Sequence, residues 1–281
     1  MKVFNTISEI RRWSLETRKS GMSIGLVPTM GFLHEGHLSL IRKSRQSTSK
    51  TVVSIFVNPA QFAPHEDFDK YPKDMERDLK LCELEGVDVV FAPAKEEIYL
   101  ANHQTFISNE KISQLLCGKS RPIHFKGVTT IVTKLFNIVE PDVAVFGQKD
   151  AQQSVIIKNM VQDLNFKTHI LIEPIVREPD GLAMSSRNKY LTPSQRKTAL
   201  ILYQSIRYAR QQINNNLKSF DQLIKEITNN INSQPECKVD YVEFVNAETL
   251  QNEIKKGDKV LFALAVFIGD TRLIDNIVLD N

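Results

Sequence analysis

The chain has 281 residues, 42% of them hydrophobic and 25% charged, with a formal net charge of +3 at pH 7. That is ordinary for a globular protein with a large core and about two domains, and Lys and Arg scattered among Asp and Glu leave no basic stripe for a nucleic-acid partner. Cys82, Cys117 and Cys237 are odd in number, lie far apart and form no Cys-x-x-Cys, which fits free thiols in a reducing compartment and argues against structural zinc. The opening residues carry no signal-like apolar region, and the longest apolar run, Val260–Ile268, is about half a membrane span, so a cytoplasmic protein without a membrane partner is expected.

Ser8 reads as an N-cap, and the helix it opens ends at Gly21, with Arg18 and Lys19 in its last turn. A short apolar strand over Ile24–Val27 leads through a Gly-containing loop into a helix over Leu38–Ser47, followed by a strand over Thr51–Val57. A helix from about Lys73 to Glu85 stops at Gly86, and the strand Val87–Ala92 follows. Next come a helix over Ile131–Val139, a strand over Val143–Phe146, a helix with a buried stripe of Ile157, Met160, Val161 and Leu164, and a strand over His169–Ile172. Short strands without a polar face, alternating with helices, predict an α/β, Rossmann-like parallel sheet with helices on both faces. Composition changes near Glu178-Pro179-Asp180-Gly181, a Pro- and Gly-marked turn that could serve as a hinge. Beyond it lie a helical stretch, Pro193 to about Asn232, and strands over Val239–Val245, Val260–Phe267 and Arg272–Val278, which predict a smaller C-terminal α+β domain. The expected boundary gives domains 1–176 and 177–281. Asn214-Asn215-Asn216 reads as a helix end or turn.

The chemistry is densest in Pro28-Thr29-Met30-Gly31-Phe32-Leu33-His34-Glu35-Gly36-His37. Strand, loop and helix start place two histidines three apart on one helix face, beside free N–H groups and the positive end of the helix dipole, where phosphate is favoured. Gly31 and Gly36 would let backbone approach a ligand. Two imidazoles there could donate to a triphosphate, most strongly as charge builds on departing pyrophosphate. There is neither a Gly-x-x-x-x-Gly-Lys-Ser/Thr loop nor a Gly-x-Gly-x-x-Gly fingerprint. A lone histidine at a helix start is more often a cap or a solvated side chain; the strand–loop–helix context raises the nucleotide reading. Gly147-Gln148-Lys149-Asp150 also follows a strand and opens a helix. Lys149 is placed to neutralise phosphate; Asp150 could accept from a ribose hydroxyl, hold an ion, or only meet the helix dipole. Gln153 shares the Lys149 face, whereas Gln152 points elsewhere. Asp67, Asp69, Asp74 and Asp78 read as a solvated loop and helix face, and no protein metal ligands are expected. His65, His103 and His169 carry no motif and read as structural or solvated.

His34-x-Gly36-His37 is the histidine signature of the nucleotidylyltransferase superfamily, shared with class I aminoacyl-tRNA synthetases, and the longer string resembles the pantothenate synthetase (pantoate–β-alanine ligase) family. Four further blocks resemble it in order: Phe56-Val57-Asn58-Pro59-x-Gln61-Phe62, Arg121-Pro122-x-His124-Phe125-x-Gly127-Val128, Phe146-Gly147-Gln148-Lys149-Asp150-Ala151-Gln152-Gln153 and Met184-Ser185-Ser186-Arg187-Asn188. Ile123 stands where the family usually has Gly. The resemblance implies ATP-dependent condensation of pantoate with β-alanine through a pantoyl adenylate, with Mg²⁺ arriving on ATP, held mostly by phosphates and water, and a homodimer. It turns Gln61, by position an ordinary turn glutamine, into a pantoate ligand with Gln153 and Met30. It likewise turns Ser185, Ser186 and Arg187, a common surface string, into a phosphate clamp akin to the mobile Lys-Met-Ser-Lys-Ser loop of class I synthetases. His34, His37, Lys149 and Arg187 are the implied catalytic set. Met30, Gly31, Gly36, Gly147, Gln148, Asp150, Val176 and Met184 join them and the two serines around ATP. Arg121, His124 and Lys126 would line the pantoate side or order a loop. Another adenylyl-transferring enzyme, or a catalytically silent binding protein on the same fold, is the alternative.

Overall fold

The computed structural model describes residues 1–64, 66–215 and 217–280; the readings of His65 and Asn216 fall outside them. In chain order the first half contains β1 (Lys2–Phe4), α1 (Ile7–Lys19), β2 (Ile24–Thr29), α2 (Glu35–Ser47), β3 (Lys50–Ile55), α3 (Met75–Leu84), β4 (Val89–Phe91) and α4 (Lys95–Ile98). It continues with α5 (Cys117–Ser120), α6 (His124–Val139), β5 (Val143–Gly147), α7 (Ala151–Asp163) and β6 (His169–Glu173). The second half contains α8 (Pro193–Thr198), α9 (Leu200–Asn214), α10 (Phe220–Asn232), β7 (Cys237–Asn246), β8 (Lys259–Ile268) and β9 (Thr271–Asp280).

The first six strands form one parallel sheet in the order β1-β4-β3-β2-β5-β6. Leu26, Val52, Val89, Ala144 and Phe146 point to one face, where α1, α6 and α7 bring Ile10, Phe136, Val139, Ile157 and Met160. Their neighbours Val27, Val53, Val90 and Val145 point to the other, against Leu38 and Ile41 of α2 and Cys82 of α3. Strands covered on both faces lose the polar alternation of a half-exposed sheet, which is why they read as plain apolar runs. The last three strands form an antiparallel sheet, β7-β8-β9. From Val260 onward its central strand is apolar for the same reason. Val260, Phe262, Leu264 and Val266 pack against α9 and α10, through Leu202, Ile206, Leu223 and Ile227. Leu261 and Ala263 pack the opposite way, onto Phe125 and Ile156 of the first half. The chain is thus an α/β protein with a Rossmann-like parallel sheet and a smaller C-terminal α+β part.

Several boundaries differ from expectation for local physical reasons. The N-cap of α1 is Thr6 rather than Ser8, because Thr6 and Glu9 form a reciprocal capping box, the Glu9 N–H donating to the Thr6 hydroxyl and the Thr6 N–H to the Glu9 carboxylate. The helix expected from Ile131 begins at His124. Ile123 just before it has φ −92°, ordinary backbone for any residue, and its side chain is exposed; the loss of the family's glycine there costs no strain. Leu164 falls off the buried stripe of α7 and is exposed, whereas Ile157 and Met160 are buried. The turn 178–181 is no free hinge. Gly181 has φ +99°, and a Cβ there would stand 2.0 Å from the Tyr203 ring, so only glycine fits. Arg177 donates to the Gly181 carbonyl and forks onto Asp275 of β9, while Arg196 grips Asp180. These contacts tie the turn to the second half.

Candidate active site at the switch between two parallel strands

Parallel strands end on one side of their sheet, and here the order reverses direction between β2 and β5, the place where open α/β sheets bind ligands. The residues after both strand ends line a cleft of about 220 Å³. A larger adjoining cavity of about 880 Å³ runs between the two halves of the chain and shares Arg121, His124, Lys149, Asp150, Gln153, Ser185 and Arg187 with it.

His34 is the N-cap of α2, and His37 lies one turn in, with ring centroids 4.0 Å apart. Three of the expected free N–H groups are already taken. Those of His37 and Leu38 donate to the His34 carbonyl, and that of Gly36 donates to Nδ1 of the His34 ring at 3.1 Å. The His34 N–H in turn donates to Nδ1 of His37 at 3.3 Å. A ring nitrogen that accepts from an amide carries no proton, so each neutral ring holds its proton on Nε2. Burial, then the Lys149 ammonium, pushes the His34 pKa down to about 4, and burial beside His34 pushes His37 well below the usual imidazole value. The corner thus presents two neutral imidazoles with their Nε2–H groups uncommitted to the helix start.

The two glycines serve the protein's own packing. A Cβ on Gly36 would stand 2.9 Å from the His34 ring, so glycine lets that imidazole fold back over the helix start. Gly31 is buried, at φ +83°, against Asp78 and Ile55 and does not line the cleft, although Gly36 does.

Gln61 follows β3 in a short 3-10 turn, and its amide is held on both sides. Its Oε1 accepts from Asn58 Nδ2 at 3.1 Å, and its Nε2 lies 3.1 Å from the Met30 sulfur. Asn58 is itself fixed by the Tyr99 hydroxyl at 2.7 Å and by the Gly127 carbonyl. Gly127 allows this: a Cβ there would lie 2.3 Å from the Ala60 carbonyl oxygen, so α6 rests directly on the Gln61 turn. Burial holds His124 well below the usual imidazole value, and its Nδ1–H donates to the Gln61 carbonyl at 3.0 Å.

Gly147, Lys149, Asp150 and Gln153 line the same cleft, as do Met30, Val176, Met184, Ser185, Ser186 and Arg187. Gln148 does not: its amide pairs with Asn276 of β9, which also donates to the Gln148 and Lys149 carbonyls. Gln152 braces the segment before α5, through the Cys117 N–H and the Ile112 and Leu115 carbonyls. Arg187 forks onto Asp67 with two contacts of 2.9 Å, and Arg121 grips Glu66 at 2.6 and 2.9 Å. The acidic stretch is solvated only in part: Asp69 and Asp74, the N-cap of α3, are exposed, whereas Asp67 is paired with Arg187 and Asp78 is fully buried. The sequence signal available for Asp78 was its place one turn before Cys82, on the buried side of α3.

A profile described as pantoate-beta-alanine ligase matches residues 2–278. The chain belongs to the pantoate–β-alanine ligase family. It is 55% identical over 280 residues to the pantothenate synthetase of Acetivibrio thermocellus, covering all of both chains, and 55% identical over 278 residues to that of a Thermoanaerobacter species, covering 99% and 98%. Among solved structures it is similar to the Thermus thermophilus pantothenate synthetase, with TM-score 0.90, 38% identity and 99% of each chain covered. It is similar, too, to the Francisella tularensis pantoate-beta-alanine ligase solved with beta-gamma ATP and beta-alanine, with TM-score 0.84, 35% identity and coverage of 99% and 97%. As a family member, the chain is a ligase that condenses pantoate with β-alanine in an ATP-dependent reaction. A different adenylyl-transferring enzyme or a silent binding protein is not favoured.

Proposed function

We propose that ATP and pantoate bind together in the cleft at the strand switch and react in two steps. A pantoate carboxylate oxygen attacks the α-phosphorus in line, and the bond to pyrophosphate breaks. The neutral amine of β-alanine then attacks the acyl carbon of the pantoyl adenylate, and AMP leaves. Both nucleophiles belong to substrates, so the protein supplies position and charge. The Nε2–H groups of His34 and His37, with the Lys149 ammonium, donate to the phosphates as pyrophosphate departs. Ser185, Ser186 and Arg187 clamp them from the other side, and Met184, Val176, Gly147, Gly36 and Asp150 border the nucleotide. Gln61, held by Asn58 and Met30, presents one amide to the hydroxyl and carboxylate of pantoate, with Gln153 beside it. Gly31 and Gln148 support these residues without lining the cleft.

The carboxylate lining the smaller cleft is Asp150, beside Lys149, and among the described residues no group of three or more His, Cys, Asp or Glu is placed to chelate an ion. That donor set fits a Mg²⁺ carried on the nucleotide's phosphates and keeping most of its waters, where it would offset phosphate charge. Residues 1–176 would form the nucleotide- and pantoate-binding unit and 177–281 a closing unit. Since the 178–181 turn is fixed to the second half by Arg177, the pivot of such a closure would lie between the end of β6 at Glu173 and Arg177. Among the described residues no helix is long and apolar enough to cross a membrane; a cytoplasmic homodimer completes this reading, on family likeness alone, and sedimentation tests the dimer.

The observation that carries the site reading is the neutral imidazole pair beside Lys149 at the switch point. His37→Ala should fold normally yet lose about 10²–10³-fold in adenylation rate, the usual effect of removing one preorganised donor. ATP- and pantoate-dependent pyrophosphate release is the measurement, with β-alanine-dependent AMP release as its counterpart. Near-normal pyrophosphate release by the folded variant would overturn the assignment.

A further inference from the structure

Asp78 lies one helix away from the cleft and lines neither cavity, yet it is fully buried. Each of its carboxylate oxygens takes one amide of the loop between β2 and α2: Phe32 N–H donates to Oδ2 at 2.6 Å and Leu33 N–H to Oδ1 at 2.7 Å. The nearest cation is the Arg77 guanidinium, 3.8 Å from Oδ1. Successive amides around left-handed residues form a concave nest that suits an anion. Gly31 is at φ +83° and Phe32 at φ +51°, a region glycine tolerates and phenylalanine does not favour. Something outside the loop must hold Phe32 there. The Phe32 carbonyl accepts from the Ser186 hydroxyl at 3.3 Å, and its ring lies 4.7 Å from Lys189 Nζ. One peptide therefore joins the Met30–His34 loop, helix α3 and the segment that carries Arg187.

We propose that Asp78 is a positioning residue for the adenylation step: by holding the Phe32 and Leu33 amides it sets the path of the chain into His34, and it presents the Phe32 carbonyl to Ser186. Without the carboxylate, Phe32 leaves the left-handed region, and the loop shifts at its His34 end, while Met30 stays held against Gln61. Misplacement on the scale of an ångström costs up to about 100-fold in rate. This rests on the assignment of His34 and His37 to pyrophosphate departure, which the His37→Ala measurement decides separately: normal pyrophosphate release there removes that reading, whereas a defective H37A with a normal Asp78 variant removes only this one.

The test measures the two half-reactions apart. Asp78→Asn keeps the volume but replaces one acceptor with an amino group facing an amide donor. Adenylation, read as pyrophosphate release in the first turnover, should fall by about ten- to 100-fold. Conversion of supplied pantoyl adenylate and β-alanine, which expels no pyrophosphate, should stay within about threefold, a difference of under 1 kcal/mol in barrier. Phe32→Gly in the same chain should recover at least about threefold of the lost adenylation, because glycine takes the left-handed conformation unaided. A role confined to fold stability predicts otherwise: both half-reactions fall together, and the glycine adds to the loss. Equal loss in both half-reactions, no recovery with Phe32→Gly, or adenylation within twofold of the parent would each overturn the proposal. If Asp78→Asn gives no folded protein, Asp78→Ser, which keeps one acceptor, is read by the same three criteria.

Discussion

Each imidazole of the His34–His37 pair spends its Nδ1 on a backbone amide and keeps its proton on Nε2, so charge at this corner is supplied by Lys149 while the histidines stay neutral. The pH dependence follows with a definite sign. In the unfolded chain His34 takes up its proton near pH 6.5; in the fold it does so near pH 4. Between those values the unfolded chain binds more protons, so this group favours the fold fully above pH 6.5, and the contribution is lost as pH falls toward 4. The lost stabilisation is on the order of 3 kcal/mol. A ¹³C-labelled histidine titration should show His34 without a step between pH 8 and 5 and a midpoint near 4. A midpoint near 6.5 would mean that the ring is not held as described. The motif made the pair legible in the sequence. Its tautomers were not, because they depend on amides committed by the turn geometry, and neither was Asp78, whose burial is decided by a loop 45 residues upstream.

At the level of elements, the long periodic pieces were readable and the short ones were not. The parallel strands and the helix α7 stood out as apolar runs and a stripe, whereas β1 has three residues and gains its identity only by pairing with β4. The start of α6 was hidden because His124, Lys126 and Gly127 look like loop residues; what makes them helical is contact with the Gln61 turn. That contact gives a prediction. Gly127→Ala places a methyl group 2.3 Å from the Ala60 carbonyl oxygen, against backbone that cannot yield as a flexible side chain would. The fold should lose about 1–3 kcal/mol, measured by urea unfolding. The KM for pantoate should rise as the Gln61 turn is pushed aside, with ATP affinity less affected. An unchanged melting curve would show that α6 does not rest on this turn.

Over the whole molecule, the alternation of strands and helices followed by a strand-rich C-terminal part gave away the two-part architecture. The turn at 178–181 misled, because Pro and Gly mark a bend but not whether it is packed, and Tyr203, Arg196 and Asp275 pack this one. If the second half closes as proposed, a turn fixed to it would carry the Met184–Arg187 segment over the substrates. Amide exchange in residues 184–190 should slow when ATP and pantoate are both present and change little with either alone. Equal exchange in all states would remove closure from the account but leave the chemistry intact.

The fork between Arg187 and Asp67 changes what it means for this cleft to bind phosphate. Arg187 already has a counter-ion, so a nucleotide clamped as proposed would not fill a vacant cationic seat. It would displace a resident carboxylate, and the observed affinity would be the difference between two ion pairs. Such an exchange site discriminates by geometry, since any single anionic oxygen only replaces what the protein already provides, whereas a polyphosphate reaching Lys149 and both imidazoles at once gains more than it gives up. Asp67→Asn should turn the exchange site into an ordinary anion trap: pyrophosphate and inorganic sulfate would both bind more tightly, with a steeper loss of affinity on adding salt, and the preference between them would narrow.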